Sequence, residues 1–242
     1  MIRRRLFVLW NAAFSLLAAQ PEPDSTRVAF LAFGDMNLGR AVGQILLKDS
    51  VEYPFKQVRD ALVSSDLVFA NLESQISDQG GETQHPKDRF IFCAPPQAAR
   101  SIRWAGISVV STANNHAYDY GMKGVRETIE ELRKVSVPFV GTSLDSVSFF
   151  PPMILQRKGI RFGFVAYTQF LNRKSAPQGH ISIFEKARMI REISSLRSKV
   201  DVVVASYHGG IEYADKPNRQ TLTQLRELAD AGADIVLGHH PH

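Results

Sequence analysis

The sequence predicts an α/β fold in which strands and helices alternate through one large domain. Three observations predict it: apolar runs of strand length recur along the chain, segments of helix length separate most of them, and polar residues directly follow several runs. Strands separated by helices form parallel or mixed sheets with the helices outside, which indicates an α/β or α/β/β/α architecture. With 242 residues and 44% hydrophobic content, the chain can bury a full core.

The first 20 residues differ in composition from the rest. Three arginines at 3–5 precede an apolar segment at 6–19, and no acidic residue occurs in this stretch. Because a membrane span needs about 20 apolar residues, the segment predicts a secretory signal peptide; an uncleaved membrane anchor and a buried first helix are the alternatives. Residues 21–26 are predicted to be a linker, so that the folded domain covers 27–242.

The charge balance gives little support to a nucleic-acid partner. The net charge is +5, but without the three leader arginines the chain carries 26 basic against 24 acidic residues. Membrane contact is therefore expected only through the leader. Cys93 is the only cysteine, which excludes an internal disulfide and a cysteine-rich zinc site.

In the first half of the chain, the apolar run at 27–33 breaks at Gly34 and Asp35, as a buried parallel strand would. The other elements predicted here are, in order, helices over 38–48 and 54–63, a strand over 66–70, a loop over 77–89, a short strand over 89–92, a helix over 97–105, a strand over 107–112, a long amphipathic helix from 121 or 123 to about 135, and a short strand over 137–140.

The second half repeats this alternation of strands and helices. Its predicted elements are strands over 153–156 and 160–167, an irregular polar segment over 168–182, a helix over 184–198 with a charged, solvated face, a strand over 201–206, a helix over 218–231 and a final strand over 234–237.

Candidate metal ligands follow five of the predicted strands. Because the carboxyl ends of parallel strands lie at one edge of a sheet, these side chains are expected to meet. The candidates are Asp35, Glu73, Asn115, His116, His208, His240 and His242. Each has a structural alternative: a helix-capping carboxylate, a turn residue, a structural histidine or, for the last two, a terminal tag. Together they indicate a metal site.

Carboxylates, an amide and imidazoles are the ligands of a centre that holds two divalent ions, such as manganese, iron or zinc. In that interpretation Glu73 bridges the ions and Asp35 binds the first. Asn115 supplies a neutral oxygen. The histidines that complete the two coordination shells are His208, His240 and His242, and His239 is expected to lie behind them.

His116 follows Asn115 and would be free to act as a general acid or to stabilise charge on a phosphoryl group. Asp119 could orient His116 through its ring N–H, or could cap the following helix. Arg40 could meet an anionic group, and Glu212 and Tyr213 could support the site or recognise substrate. Solvent exposure is the alternative for these last three residues.

Five segments, in this order, resemble the motifs of the capsule-biosynthesis CapA family. They are Phe-Gly-Asp-Met-Asn-Leu-Gly-Arg at 33–40, Ala-Asn-Leu-Glu-Ser at 70–74, Ala-Asn-Asn-His-Ala-Tyr-Asp-Tyr-Gly at 113–121, Tyr-His-Gly-Gly-Ile-Glu-Tyr at 207–213, and Gly-Ala-Asp-Ile-Val-Leu-Gly-His-His-Pro-His at 232–242. The resemblance implies a calcineurin-like metallophosphoesterase domain, a four-layer α/β/β/α sandwich with a dinuclear metal site. It supports the bridging role of Glu73.

Two positions depart from the wider superfamily. Asn37 stands where the first motif usually has histidine, and Glu73 stands where the second usually has aspartate; both are as expected for the CapA branch. That family normally continues with further strands after the last motif, so the domain is expected to be truncated at its C-terminus.

The resemblance implies a role in making or exporting a cell-surface anionic polymer such as poly-γ-glutamate capsule, with a metal-dependent hydrolase or phosphoesterase as the first hypothesis. The expected location is the periplasmic or extracellular face of the membrane. Expected partners are an anionic polymer or phosphoester substrate and subunits of a polymer synthase or exporter. The alternatives are a non-catalytic assembly or export factor and a periplasmic nucleotidase-like phosphoesterase.

Overall fold

A computed structural model describes residues 27–173 and 175–242; the predicted leader and the linker at 21–26 lie outside this part of the chain. The strands are β1 (Phe30–Met36), β2 (Leu67–Leu72), β3 (Gln75–Ile76), β4 (Cys93–Ala94), β5 (Val109–Ser111), β6 (Phe139–Val140), β7 (Met153–Arg157), β8 (Ile160–Thr168), β9 (Val202–His208) and β10 (Ile235–His239). The helices are α1 (Arg40–Leu46), α2 (Arg59–Val63), α3 (Gln97–Ala105), α4 (Gly121–Lys134), α5 (Lys186–Arg197) and α6 (Arg219–Asp230).

The strands form two four-stranded sheets and one small pair. The first sheet has the order β1-β2-β5-β6 and is parallel throughout. The second has the order β10-β9-β8-β7, in which only β7 is antiparallel to its neighbour. Strands β3 and β4 pair separately. The predicted α/β class with parallel sheets is therefore confirmed.

The two sheets bury one face against each other and the other under helices. Between the sheets, the ring of Phe69 from β2 stacks on that of Phe164 from β8, with centroids 5.9 Å apart. The first sheet packs on α3 through residues such as Ile102, and the second packs on α5 through Met189. Helix α5 begins where the Glu185 carboxylate accepts two backbone N–H groups of its first turn.

We expect Phe164→Ala to lower the free energy of unfolding by about 3–5 kcal/mol, because it opens a cavity between the two sheets. Urea denaturation followed by circular dichroism measures this loss. Phe149→Ala is the matched control, since that ring is 39% exposed and should cost far less. Equal losses in the two variants would contradict the packing of the sheets on each other.

The first predicted strand lies three residues further along the chain in the structure and carries Asp35 within it. Strand β1 continues through Gly34, where its pairing with β2 shifts register between Phe33 and Asp35. The extra residue bulges out of the ladder, and the strand resumes beyond it. The break expected at Gly34 is thus a bulge, and it lies beside the site described below.

Two predicted elements are wrong. The helix over 54–63 is reduced to α2, because backbone bonds of the i to i−3 kind make separate turns around Pro54, whose nitrogen cannot donate. The strand over 89–92 is replaced by a turn, since Asp88 accepts hydrogen bonds from the N–H groups of Phe90 and Ile91. The short strand β4 follows it.

No helix within 27–173 and 175–242 is long and apolar enough to cross a membrane.

Candidate metal centre

The predicted ligands gather where the carboxyl ends of both sheets meet. Glu73 directly follows β2, His208 is the last residue of β9, and His239, the last of β10, pairs with His208 in register. The N–H of His240 donates to Oδ2 of Asp35 at 2.7 Å, which ties the end of β10 to β1. The packing of the two sheets against each other therefore brings together residues that are far apart in sequence, since Asp35 and His240 are separated by 205 positions.

The side chains face one another at distances that suit metal ligands. Nδ1 of His208 lies 3.5 Å from Oδ1 of Asp35, and its Nε2 lies 3.4 Å from Oε1 of Glu73. Nδ1 of His242 lies 3.8 Å from Oε2 of Glu73. Two sets with ligand atoms all within 4.8 Å share the Glu73 carboxylate; they are Glu73 with His208 and His240, and Asp35 with Glu73 and His242. Glu73 is therefore common to two of these sets.

A third set of this kind consists of Glu212, His240 and His242. Oε1 of Glu212 lies 3.9 Å from Nε2 of His240, at the outer rim of the site. The carboxylate of Glu212 is therefore close enough to support the imidazole of His240 or to join it on an ion.

Several buried polar atoms at this point have no hydrogen-bond partner within the described residues. They are Oε1 of Glu73, Oδ1 of Asn115, Nε2 of His208, both ring nitrogens of His239 and Nδ1 of His240. Buried polar atoms in folded proteins nearly always have partners. Oxygen and imidazole nitrogen lone pairs that converge without partners fit divalent cations, so the residues present suit the predicted metals.

The electrostatics also fit a cation. Burial, together with the charges of Asp35 and Glu212, raises the pKa of Glu73 to about 9. Burial opposes ionisation of Asp35 as well, but hydrogen bonds from His208, Asn71 and the His240 N–H hold its pKa below the ordinary value.

Burial lowers the pKa of His208 to about 4 and shifts the pKa of His239 and His240 in the same direction. These imidazoles are neutral at pH 7, which is the form that binds metals. Metal binding would release the proton that Glu73 carries.

Without metal, the free energy of unfolding should fall as pH rises from about 6.5, the ordinary histidine pKa, to about 9, the raised pKa of Glu73. The folded state retains the Glu73 proton that the unfolded chain releases near its ordinary pKa of 4.5, so each pH unit costs up to about 1.4 kcal/mol. Denaturant titrations of chelator-treated protein at several pH values measure the slope. Glu73→Gln should lack this component, and an unchanged slope in that variant would contradict the assignment.

His116 forms a second arrangement beside the ligands. Its Nδ1 lies 2.7 Å from Oδ2 of Asp119, which also accepts the N–H of Phe92 at 3.2 Å. The Phe92 ring lies 4.1 Å from the His116 ring. Asp119 does not cap α4, whose N-cap residue is Tyr120 with no side-chain cap bond. Its carboxylate instead orients the imidazole of His116.

Sequence reasoning missed the amides that hold these residues. Nδ2 of Asn71 donates to Oδ1 of Asp35 at 2.7 Å and lies 3.0 Å from Nδ1 of His208. Oδ1 of Asn172 accepts from Nδ2 of Asn115 at 3.3 Å, which leaves Oδ1 of Asn115 for another partner. The position of Asn71, two residues before Glu73, could have indicated its role. Asn172 lies in the irregular segment 168–182, which carries no such pattern.

The ligands border an open cleft of about 680 Å³. His242 is half exposed beside it, whereas His239 is buried behind it with its ring 6.1 Å from that of Phe69. Tyr213, at the rim, is 84% exposed. The cleft is lined by Asp35, Asn37, Arg40, Glu73, Gln84, Arg89, Phe90, Phe92, His116, Glu212, Tyr213 and His242.

A family model described as "Bacterial capsule synthesis protein PGA_cap" matches residues 29–242. The capsule biosynthesis protein CapA of Bacillus anthracis is 27% identical over 243 residues, which cover 96% of this chain and 59% of that protein. The PGA biosynthesis protein CapA of Bacillus subtilis (strain 168) is 29% identical over 216 residues, which cover 86% of this chain and 56% of that protein. The chain thus spans just under three fifths of the length of these curated relatives.

Among solved structures, a Staphylococcus aureus protein described as a 5'-nucleotidase, in complex with α-ketoglutarate, superimposes with a TM-score of 0.51. The alignment covers 87% of this chain and 44% of that one at 12% sequence identity, so the likeness concerns the fold alone.

Proposed function

The chain belongs to the bacterial capsule synthesis protein family, PGA_cap, and we propose that it acts there as a metal-dependent phosphoesterase or hydrolase. Its role would be in the biosynthesis or export of an anionic cell-surface polymer such as poly-γ-glutamate. The observation that carries the proposal is the Glu73 carboxylate, which is common to two sets of ligand atoms at the carboxyl ends of both sheets. A shared carboxylate is what a centre with two ions requires.

The packing of the sheets and helices also supports this proposal. Two sheets pack face to face, and helices cover their outer faces, which is the arrangement expected of a four-layer α/β/β/α sandwich. In open α/β sheets, ligands bind beyond the carboxyl ends of the strands. The cleft with Glu73 and His208 lies there.

Two divalent ions bound by Asp35, Glu73, Asn115, His208, His240 and His242 would polarise the substrate and lower the pKa of a bound water. The chain's own residues do the rest. His116 faces the cleft and can transfer a proton to the leaving oxygen, while Asp119 keeps its ring oriented. Oδ1 of Asn172 accepts a hydrogen bond from Nδ2 of Asn115, so Oδ1 of Asn115 is directed away from Asn172.

The location follows from the same role. A polymer of the cell surface has to reach the outer side of the membrane, and the apolar segment at 6–19 would deliver or anchor the domain at the periplasmic or extracellular face of the membrane. Subunits of a polymer synthase or exporter are the protein partners that such a location favours.

The test is a set of metal-dependent hydrolysis assays on the full-length protein, supplied with manganese, iron or zinc. We expect turnover of phosphodiesters, nucleotides or poly-γ-glutamate that stops with chelator and returns with metal. A protein that binds metal but is inert on every substrate would overturn the enzyme proposal in favour of an assembly or export factor. Loss or accumulation of surface polymer in a deletion strain separates a capsule role from that of a general nucleotidase.

A further inference from the structure

The cleft carries two cationic side chains that the metal centre does not use. Arg40 and Arg89 line it together with Glu73 and His116. Both arginines are exposed, and neither forms an ion pair with a carboxylate anywhere in 27–173 and 175–242. Two guanidinium groups that face a cleft without acidic partners can bind an anion from solution.

Hydrogen bonds hold both the backbone and the side chain of Arg40 in place. Its N–H donates to the Thr83 carbonyl at 2.9 Å, and the Thr83 hydroxyl donates back to the Arg40 carbonyl at 2.9 Å. The backbone of Arg40 has φ of 50°, a left-handed conformation that costs a non-glycine residue energy. Its guanidinium lies 4.4 Å from the centre of the Phe92 ring, and Nη2 donates to the Arg89 carbonyl at 3.1 Å.

Arg40 and His116 lie against the same aromatic ring, that of Phe92. The Phe92 ring that supports the guanidinium also lies 4.1 Å from the ring of His116. Arg89 extends the cationic surface outward, with its guanidinium 4.8 Å from the centre of the Phe90 ring. The two arginines therefore place positive charge in the same cleft as the predicted metal ligand Glu73.

We propose that Arg40 and Arg89 form a second anion subsite, which binds a carboxylate or phosphate of the substrate while another anionic group of the same molecule lies at the metal centre. This inference rests on the proposed function and deepens it, because it specifies a substrate with at least two anionic groups. A guanidinium presents a planar fork of donors that matches both groups. A single phosphate would engage only the metal centre.

The charges in the cleft make anion binding at the two arginines depend on bound metal. In the metal-free protein, the acidic side chains of Asp35, Glu73 and Glu212 line the same cleft as the two arginines. Two divalent ions would reverse that balance and leave the cleft positive toward an incoming polyanion. Binding of a multiply charged ligand should therefore require both the metals and the arginines.

The experiment is calorimetric titration of the manganese-loaded protein with three probes: inorganic phosphate, tripolyphosphate and a γ-linked glutamate pentamer. The variants are Arg40→Gln, Arg89→Gln and their combination, and Arg126→Gln on the exposed face of α4 is the matched control. Each cleft variant should bind the multiply charged probe about 10- to 100-fold more weakly. Its affinity for phosphate and its manganese content should match the control. Arg89→Gln retains the carbonyl that accepts from Arg40, so it tests the Arg89 charge alone.

The outcomes separate the subsite from the metal centre. A loss confined to the glutamate pentamer identifies a carboxylate substrate, and a loss confined to tripolyphosphate identifies a phosphate substrate. If the double variant binds both oligoanions as the wild type does, the subsite is refuted. If wild-type protein binds phosphate but neither oligoanion more tightly, the subsite is again refuted while the metal centre stands. If the protein retains its manganese but binds none of the three probes, the subsite is refuted while the metal centre stands, and protein that retains no manganese would refute the metal centre itself.

Discussion

Glu73→Gln is expected to lose bound metal, with an affinity for the first ion reduced by more than about 100-fold and no second ion retained. Replacement of a group that only orients a ligand already costs about 10–100-fold. Glu73 is shared by two candidate sets, so its loss weakens both positions at once. Metal analysis after dialysis against manganese gives the ion content of wild type and variant.

Glu192→Gln is the matched control for Glu73→Gln. Both carboxylates are 2% exposed, but Glu192 lies in α5, where it accepts hydrogen bonds from the Phe150 N–H and the Tyr167 hydroxyl. The control should lose stability and keep its metal. A Glu73→Gln variant that retains two ions would remove Glu73 from the bridging position and leave the centre without its shared ligand.

His116→Ala is expected to lower the turnover number by about 10²- to 10⁴-fold while the metal content stays at the wild-type level. The imidazole lines the cleft and is oriented by Asp119 at 2.7 Å, and His116 belongs to none of the three candidate sets of ligands. Steady-state assays on the best substrate, with metal analysis of the same samples, measure both quantities.

Two further variants accompany His116→Ala, one that tests its orienting carboxylate and one that serves as a control. Asp119→Asn should lower turnover by about 10- to 100-fold, since the ring remains but loses its orienting carboxylate. His180→Ala removes an imidazole whose Nδ1 lies against the Ser143 carbonyl and should leave both quantities unchanged. If His116→Ala kept full turnover, or lost metal together with activity, the role as proton donor would be contradicted.

The sequence predicted those parts of the fold that depend on local pattern. Continuous apolar runs gave β2, β8 and β9, and a helix predicted over 97–105 is α3 with the same limits. The polar residues that follow such runs, Glu73 and His208 among them, lie together because parallel strands of each sheet end at one edge and these edges of the two packed sheets adjoin.

Other features depend on contacts between distant segments and were not predictable from pattern. The Asn172 amide meets Asn115 and His116 across 57 and 56 positions of sequence, a contact that no local pattern indicates. The strand expected over 89–92 is replaced by a turn that uses the Asp88 side chain and carbonyl. Likewise, β3 and β4 are two residues each, too short to leave a periodic signal in the sequence.

The central claim is that two metal ions share Glu73 at the meeting point of the two sheets. Crystals grown with manganese and measured at its absorption edge test it most directly. We expect two anomalous peaks on either side of the Glu73 carboxylate, one beside Asp35 and His242 and the other beside His208 and His240. A single peak away from Glu73, or no peak among these residues in protein saturated with manganese, would contradict the claim.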